Sequence, residues 1–417
     1  MIQLLVIADD LTGALDTGIR FDCSKTLVRI GQEFPADISG WGETIQVLTL
    51  DAETRHLPPH RAYEVVYQIA DRARQLKIPF IYKKTDSGLR GNVGSELTAV
   101  LKATGGQRLH FLPAFPQIGR TTRQGIQYVD GLPVEKSVFG KDPFEPVQHS
   151  YLPQIIREQS DVPVCLRIPC EEWKGIVIHD GESQEELRRS ALELGRKGEL
   201  GLMAGCAGFA AELAPVLGLK GKSGRKNLPE GPLLVVCGSV NPVTLRQMDR
   251  AEQAGAARIQ LSTEQLADPG WMDTEPGKEL LEEWEKKIRM VGCTILESQG
   301  KRGGHNDTAE SLLREQVSRG LAAVLKRLLE MGIQARLMIT GGDTLLACTR
   351  MLGVRELFLE GELFPGVVLS RMGFGGRDYD LISKSGGLGE EDLLVRMKKQ
   401  TEWKDCREES ECRMGTA

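Results

Sequence analysis

Short, wholly apolar runs that stop abruptly in charged or glycine-rich turns are what most restrict the fold of this chain. Gln3 to Ala8 (Q-L-L-V-I-A) runs straight into Asp9-Asp10, and Leu11 to Phe21 then carries apolar residues at helical spacing. An apolar run without alternation reads as a strand covered on both faces, the condition of a parallel sheet between helix layers. Thr44 to Leu50 leads into Asp51-Ala52-Glu53-Thr54-Arg55. The segment Pro59 to Lys77 follows, with Val65, Val66, Ile69, Ala73 and Leu76 on one helical face. Phe80-Ile81-Tyr82 leads into K-K-T-D-S-G-L-R-G-N and a helix from Val93 to Ala103. Three repeats of strand, polar turn and helix predict a parallel sheet with crossover helices.

The rhythm continues through strands at Arg108 to Leu112, Ile176 to His179 and Leu200 to Met203, with a helix from Ser183 to Arg196. Pro113 to Gly125, dense in proline and arginine, reads as a rigid loop over a site, and residues 131 to 170 carry no assignment. Gly218 to Glu230 is glycine- and lysine-rich without apolar period, the composition of a linker. Beyond it the rhythm restarts at Pro232 to Cys237, then Ser311 to Met331 as a helix, Arg336 to Ile339 as a strand and Leu345 to Leu352 as a helix. Pro365 to Leu369 reads as a strand and Glu390 to Met397 as a helix. The fold class expected is α/β in two domains, 1–218 and 231–396, each a mainly parallel sheet flanked by helices. A linker would span 219–230 and a charged, disordered tail 397–417, with the active site in the interdomain cleft.

Composition narrows the function. A chain of 417 residues with 41% hydrophobic residues is long enough for two cores. A net charge of −5 and 5% aromatics give no basic surface or stacking platform, which argues against nucleic acid as partner. No apolar run reaches membrane-spanning length, and the opening run lacks the basic flank of a signal peptide. Nine scattered cysteines without C-x-x-C fit small core residues in a reducing, cytoplasmic setting. The six histidines show no metal-site spacing.

The turns carry the chemistry. In Phe80 to Asn92, Lys83, Lys84 and Arg90 can hold anions, Asp86 can orient a hydroxyl, and Gly88 and Gly91 let backbone approach a ligand. Asp9 and Asp10 stand where open α/β sheets bind ligands, although one of the two can simply cap the following helix. The second half has three glycine-rich turns at helix starts: Gly238 to Asn241, Thr340 to Thr344 and Ser383 to Gly389. Free backbone N–H groups at such starts suit phosphate. Neither the Walker A spacing nor G-x-G-x-x-G after a strand occurs. An acid-binding half joined to a phosphate-binding half suggests phosphoryl transfer, with Mg2+.

Five motifs, A-D-D-L-T-G-A (Ala8 to Ala14), K-x-D-S-x-L-R-G-N (Lys84 to Asn92), C-G-S (Cys237 to Ser239), G-G-D-T (Gly341 to Thr344) and K-S-G-G-x-G (Lys384 to Gly389), occur in this order. Together they resemble the four-carbon acid sugar kinase family, which includes threonate and erythronate kinases, over roughly Leu4 to Leu394. The resemblance implies ATP-dependent phosphorylation of the terminal hydroxyl of a four-carbon aldonate. It assigns Asp9, Asp10, Lys84, Asp86 and Arg90 to the sugar acid, with Arg55 a further contact. Ser239, Gly341, Gly342, Asp343, Thr344 and Gly387 fall to ATP. The catalytic base would be one of Asp9 and Asp10, with Asp343 the competing candidate. The metal ligands and any homo-oligomer stay open. The pattern departs at Gly88, where the resemblance implies threonine, and at Leu388, where it implies an aromatic residue. A hydroxy-acid dehydrogenase and a noncatalytic sugar-acid sensor are the alternative readings.

Overall fold

The computed structural model describes residues 2–21, 26–36, 38, 45–142, 145–166, 168, 170–219, 230–298, 307–385 and 387–398, and only the backbone of 307–314. Most of the expected linker, nearly all of the expected tail, Gly386, Cys23, Cys406 and Cys412 therefore lie outside the described residues. The chain divides into two compact units, Met1–Ser223 and Gly224–Ala417.

The first unit runs β1 (Leu4–Ala8), α1 (Leu11–Gly18), β2 (Thr26–Ile30), β3 (Val47–Asp51), α2 (Pro59–Gln75), β4 (Phe80–Lys84), α3 (Val93–Thr104) and β5 (Arg108–Leu112). It goes on through β6 (Arg120–Arg123), β7 (Ile126–Val129), β8 (Leu132–Pro133), α4 (Leu152–Arg157), β9 (Val164–Cys165), β10 (Gly175–Ile178) and α5 (Gln184–Lys197). It ends with β11 (Leu202–Gly205), α6 (Ala207–Ala210) and α7 (Leu213–Val216). Its main sheet has the order β2-β3-β1-β4-β11-β5-β10-β9, parallel throughout. Strand alternation sends Leu5, Ile7 and Ile81 into one core with Val66 and Ile69 of α2 and Leu97 and Val100 of α3. Leu4, Val6 and Tyr82 enter the opposite core with Leu187 and Leu194 of α5 and Phe209 of α6. Apolar residues on both strand faces thus correspond to helices on both sides of the sheet.

The arginine-rich stretch read as a loop is instead the start of a small antiparallel sheet, β6-β7-β8. Its turns are Gln124-Gly125 and Asp130-Gly131, with φ of 53° and 72°, then 49° and 81°. Two successive positive φ values make the tight hairpin turn whose twist matches its strands, and glycine supplies the second.

His110 of β5 and His179, just past β10, face each other with Nδ1 to Nε2 at 2.9 Å. Burial pushes His110 down to about 3 and His179 down to about 4. Both are therefore neutral in the fold, while unfolded imidazoles take up protons near 6.5. Folded values below the unfolded one mean stability present above 6.5 and lost as pH falls toward 4. Between pH 6.5 and 5 the protein is expected to lose roughly 2 to 3 kcal/mol through this pair. Melting curves of the native chain and of a His110→Gln/His179→Gln variant over that window check this. The variant's Tm should fall less.

The second unit runs β12 (Leu233–Cys237), α8 (Pro242–Gln253), β13 (Ala257–Leu261), α9 (Thr263–Ala267), α10 (Glu275–Met290), β14 (Cys293–Ser298) and α11 (Asp307–Glu330). It continues with β15 (Arg336–Thr340), α12 (Gly342–Met351), β16 (Glu356–Phe364), β17 (Val367–Phe374) and β18 (Arg377–Lys384). The strand order is β13-β14-β12-β15-β18-β17-β16, parallel as far as β18 and antiparallel from there. Cys206, Cys237, Cys293 and Cys348 are buried, as their apolar settings predict. Burial pushes their thiols up to between about 11 and about 12, so they are packing groups rather than nucleophiles. Among the described residues no helix is long and apolar enough to cross a membrane.

Candidate functional site

In the first unit the chain leaves β1 for β2 and β3 on one side and comes back to β4 on the other. That reversal opens a crevice at the carboxyl ends of β1 and β4, where open α/β sheets take ligands. Asp9 and Asp10 follow β1, and Ala8 is level with both Asp51 and Lys84. All six residues expected to meet the sugar acid stand around this point.

Arg55 is the hub. Its Nε donates to Asp9 Oδ2 at 2.8 Å and its Nη1 to Asp10 Oδ2 at 2.8 Å. Its Nη2 lies 2.8 Å from both Asp9 Oδ2 and Asp10 Oδ1, and 3.7 Å from Asp86 Oδ1. The loop bearing Arg55 is fixed because Asn92 Nδ2 donates to Thr54 O at 2.9 Å and Leu57 O at 2.8 Å. The Thr54 and Arg55 amides donate to Asp9 O at 3.1 and 3.2 Å. Asp10 also caps α1, accepting from Gly13 N at 3.0 Å. Asp86 closes its own turn, accepting from Gly88 N at 3.2 Å and Arg90 N at 3.3 Å, while Arg90 Nε donates to it at 2.9 Å. Arg90 in turn reaches Asp142 at 3.2 Å.

The electrostatics follow from this. Burial opposes ionisation of Asp9, but Arg55, Lys84 and Lys83 outweigh it and hold the carboxyl below the usual carboxylate range. Burial also opposes Asp86, and Arg90 and Arg55 hold it well below that range. The same pairing lifts Arg55 well above its ordinary value against burial, chiefly through Asp10 and Asp9. Asp9 and Asp86 are therefore charged at neutral pH. Asp10 and Asp86 have both oxygens engaged, whereas Asp9 Oδ1 is buried without a hydrogen-bond partner among the described residues.

Lys83, grouped by sequence with the anion-holding cations, is instead committed to the fold. Its ammonium sits 3.0 Å from Glu96 Oε2 and donates to Lys84 O at 2.7 Å. Burial pushes the Glu96 carboxyl up against the pull of Lys83. Lys84 differs. It is 5% exposed, yet among the described residues its ammonium donates no hydrogen bond and has no carboxylate at ion-pair distance. It lies over the start of α1, where a Cβ on Gly13 would come within 2.7 Å of Nζ and 2.4 Å of Asp10 Oδ1. Only glycine leaves that space open.

The departure at Gly88 has a structural counterpart. A Cβ there would stand 2.4 Å from the Phe139 ring, which fills the space a side chain would take. Arg90 and Arg120 lie 5.2 and 5.6 Å from that ring. Phe139, Asp142 and Glu96 were missed by the sequence reading; nothing local to 131–170 marks the first two.

In the second unit the reversal falls between β12 and β15, and the three glycine turns meet there. A Cβ on Gly238 would lie 2.2 Å from Thr344 Oγ1, one on Gly341 3.6 Å from Ser239 Cβ, and one on Gly387 3.5 Å from Asn241 Nδ2. Asn241, not Ser239, caps α8, accepting from Val243 N at 2.9 Å, while Ser239 Oγ accepts from Asn241 N at 3.2 Å. Gly341, at φ 99°, spends its own amide on Lys384 O at 3.1 Å, so it contributes shape rather than a donor. Gly342, Asp343 and Thr344 open α12, whose first amides have no partner within the helix. Thr344 is buried and Asp343 exposed, and the Asp343 carboxylate makes no ion pair among the described residues. Burial pushes the Lys384 ammonium down to about 8. Among the described residues no group of three or more His, Cys, Asp or Glu could hold a metal ion.

Comparison with known proteins agrees with this division. Residues 4–213 match the family model described as a sugar-binding N-terminal domain, and 234–394 the one described as a nucleotide-binding C-terminal domain. The chain is 27% identical to a D-threonate kinase of Salmonella typhimurium, covering 94% of this chain and 96% of that one. It is 27% identical to a D-erythronate kinase of Heliobacterium modesticaldum, covering 96% and 99%. A solved Salmonella typhimurium structure described as a putative tRNA synthase superposes with a TM-score of 0.75 at 21% identity, covering 95% and 98%. That likeness speaks to the fold alone.

Proposed function

The chain belongs to the four-carbon acid sugar kinase family and is a carbohydrate kinase, and from that premise we propose that it phosphorylates threonate or erythronate with ATP. The observation that carries the substrate class is Lys84, a buried ammonium at the mouth of a parallel-sheet crevice that makes no hydrogen bond or ion pair among the described residues. Buried charges are ordinarily paired, so a small carboxylate is the natural complement. The Arg55–Asp9–Asp10–Asp86–Arg90 network, three carboxylates held by two guanidiniums, then serves as a rigid frame around it. Asp9 presents Oδ1 as an ionised acceptor for a sugar hydroxyl, and an acceptor left without a donor in a buried site calls for one.

The nucleotide reading rests on three turns converging at the β12/β15 reversal, with helix-start amides for the phosphates. Bound with ATP, Mg2+ would neutralise phosphate charge, and the Asp343 carboxylate beside the turns has the donor chemistry it takes. The hydroxyl oxygen attacks the γ-phosphorus, the bond to ADP breaks, and the hydroxyl proton passes to a carboxylate. Asp9 is our candidate for that carboxylate. Exposure of Asp343, which makes no ion pair among the described residues, favours it as the second candidate.

A coupled ADP-release screen over the threonate and erythronate stereoisomers is expected to show turnover that needs both ATP and one of these acids. ATP hydrolysis indifferent to every acid would overturn the assignment.

A further inference from the structure

We propose that Gln247 is a positioning residue that turns the backbone amides of residues 389–391 toward the nucleotide's phosphates. The inference rests on the reading of the second unit as the ATP-binding half, and goes on to name what shapes one of its turns. Gln247 lies on α8 and is fully buried. Its single Nε2 faces three successive carbonyls, Leu388 O at 3.2 Å, Gly389 O at 3.0 Å and Glu390 O at 2.9 Å. Lys384 works from the other side of the turn, donating to Ser385 O at 3.0 Å, Leu388 O at 3.1 Å and Thr244 Oγ1 at 3.2 Å. Thr244 belongs to α8 as well, so one helix holds the turn at both points while its own start forms the Gly238–Asn241 corner.

The consequence is geometric. In a planar trans peptide the C=O of one residue and the N–H of the next point in opposite directions, and the structure has no cis peptide among the described residues. Drawing the carbonyls of 388, 389 and 390 onto Gln247 therefore aims the N–H groups of Gly389, Glu390 and Glu391 the other way. None of these three amides donates a hydrogen bond among the described residues. A positive φ of 85° at Gly389 lets the chain follow this path, with its Cβ position only 3.2 Å from Gln247 Nε2. Three free, like-pointing amides beside the other two glycine turns make a concave donor set for phosphate oxygens. A side chain that served packing alone would need no amide here. A leucine would fill the space and leave the carbonyls free to turn.

The test compares Gln247→Leu with the native enzyme by calorimetric titration of ATP, ADP and adenosine, with KM for both substrates. Affinity for ATP and ADP is expected to fall about tenfold or more while adenosine binding and the KM for the sugar acid stay within about twofold. Equal weakening of adenosine and ATP, or no weakening of either, overturns the positioning role. If the native enzyme binds no adenine nucleotide, the ATP reading itself falls, and this inference with it. Should the leucine variant not fold, amide hydrogen exchange on the native enzyme decides: ADP must slow exchange at 389–391, and unchanged exchange there refutes the proposal.

Discussion

Replacing Lys84 by methionine is expected to raise the KM for the sugar acid about 100-fold or more, leave the KM for ATP within about threefold, and leave the Tm unchanged or higher. Methionine keeps the length and apolar stem of lysine and removes only the ammonium. Among the described residues that ammonium makes no hydrogen bond or ion pair, so the empty enzyme offsets the cost of burying it only through the longer-range pull of the Asp9 and Asp86 carboxylates. In the complex the same charge would meet the substrate carboxylate. Truncating one member of a buried, hydrogen-bonded charge pair costs about 2–5 kcal/mol, and about 2.7 kcal/mol is already a factor of 100. Function and stability therefore move apart, which a structural lysine would not allow. For comparison, Lys83→Met strands the Glu96 carboxylate, so its damage should appear in Tm. Steady-state kinetics and melting curves on the two variants check this. A Lys84→Met enzyme with normal KM and a lowered Tm would make Lys84 part of the frame.

The contrast between these neighbours shows what a sequence discloses and what it withholds. Strand ends are legible, because an apolar run followed by charge fixes where the sheet stops; Asp9, Asp10, Lys84 and the Gly341 turn all follow from that. Pairing is not. Lys83 and Lys84 are adjacent letters with the same chemistry, and only strand alternation sends one to Glu96 on α3 and the other to the mouth of the crevice. Arg55 acquires its meaning from carboxylates 45 and 46 positions earlier. The small sheet β6-β7-β8 was legible in principle through Asp130-Gly131, but its strands of two to four residues are too short for alternation to register. β16 was hidden differently. Its run E-L-F-L-E-G-E-L-F does not alternate, with apolar residues in succession at Leu357 to Leu359 and Leu363-Phe364, and the strand's register is irregular at Leu359/Gly361 and Glu362/Phe364. Gln247 gives no sequence signal at all, since a glutamine on an amphipathic helix reads as solvated surface.

The Asp9-Asp10 pair can be separated by the same reasoning, and Asp9→Asn is expected to lower kcat by about 10²- to 10⁴-fold with the sugar acid still bound. Asparagine is nearly isosteric. With its oxygen turned to Arg55 it keeps one acceptor for that guanidinium, and it then presents an NH2 donor where Asp9 has the unclaimed Oδ1. An acceptor for the sugar hydroxyl becomes a donor at the same point. Asp10→Asn should behave otherwise: both Asp10 oxygens are already engaged by Arg55 and the Gly13 amide, and an asparagine oxygen can still cap α1, so the loss falls on the frame around Arg55. The amide that replaces the second oxygen faces the Arg55 guanidinium donor to donor, so Asp10→Asn should lower Tm and raise KM with kcat falling less than about tenfold. Asp343→Asn completes the set, because its carboxylate is exposed and unpaired among the described residues. Single-turnover rates with saturating substrates separate binding from chemistry. If Asp343→Asn loses the chemical step while Asp9→Asn keeps it, the base belongs to the nucleotide half, and Asp9 joins Asp10 as a strut for Arg55. If Asp9→Asn alone loses it, the buried oxygen without a donor is where the hydroxyl proton goes.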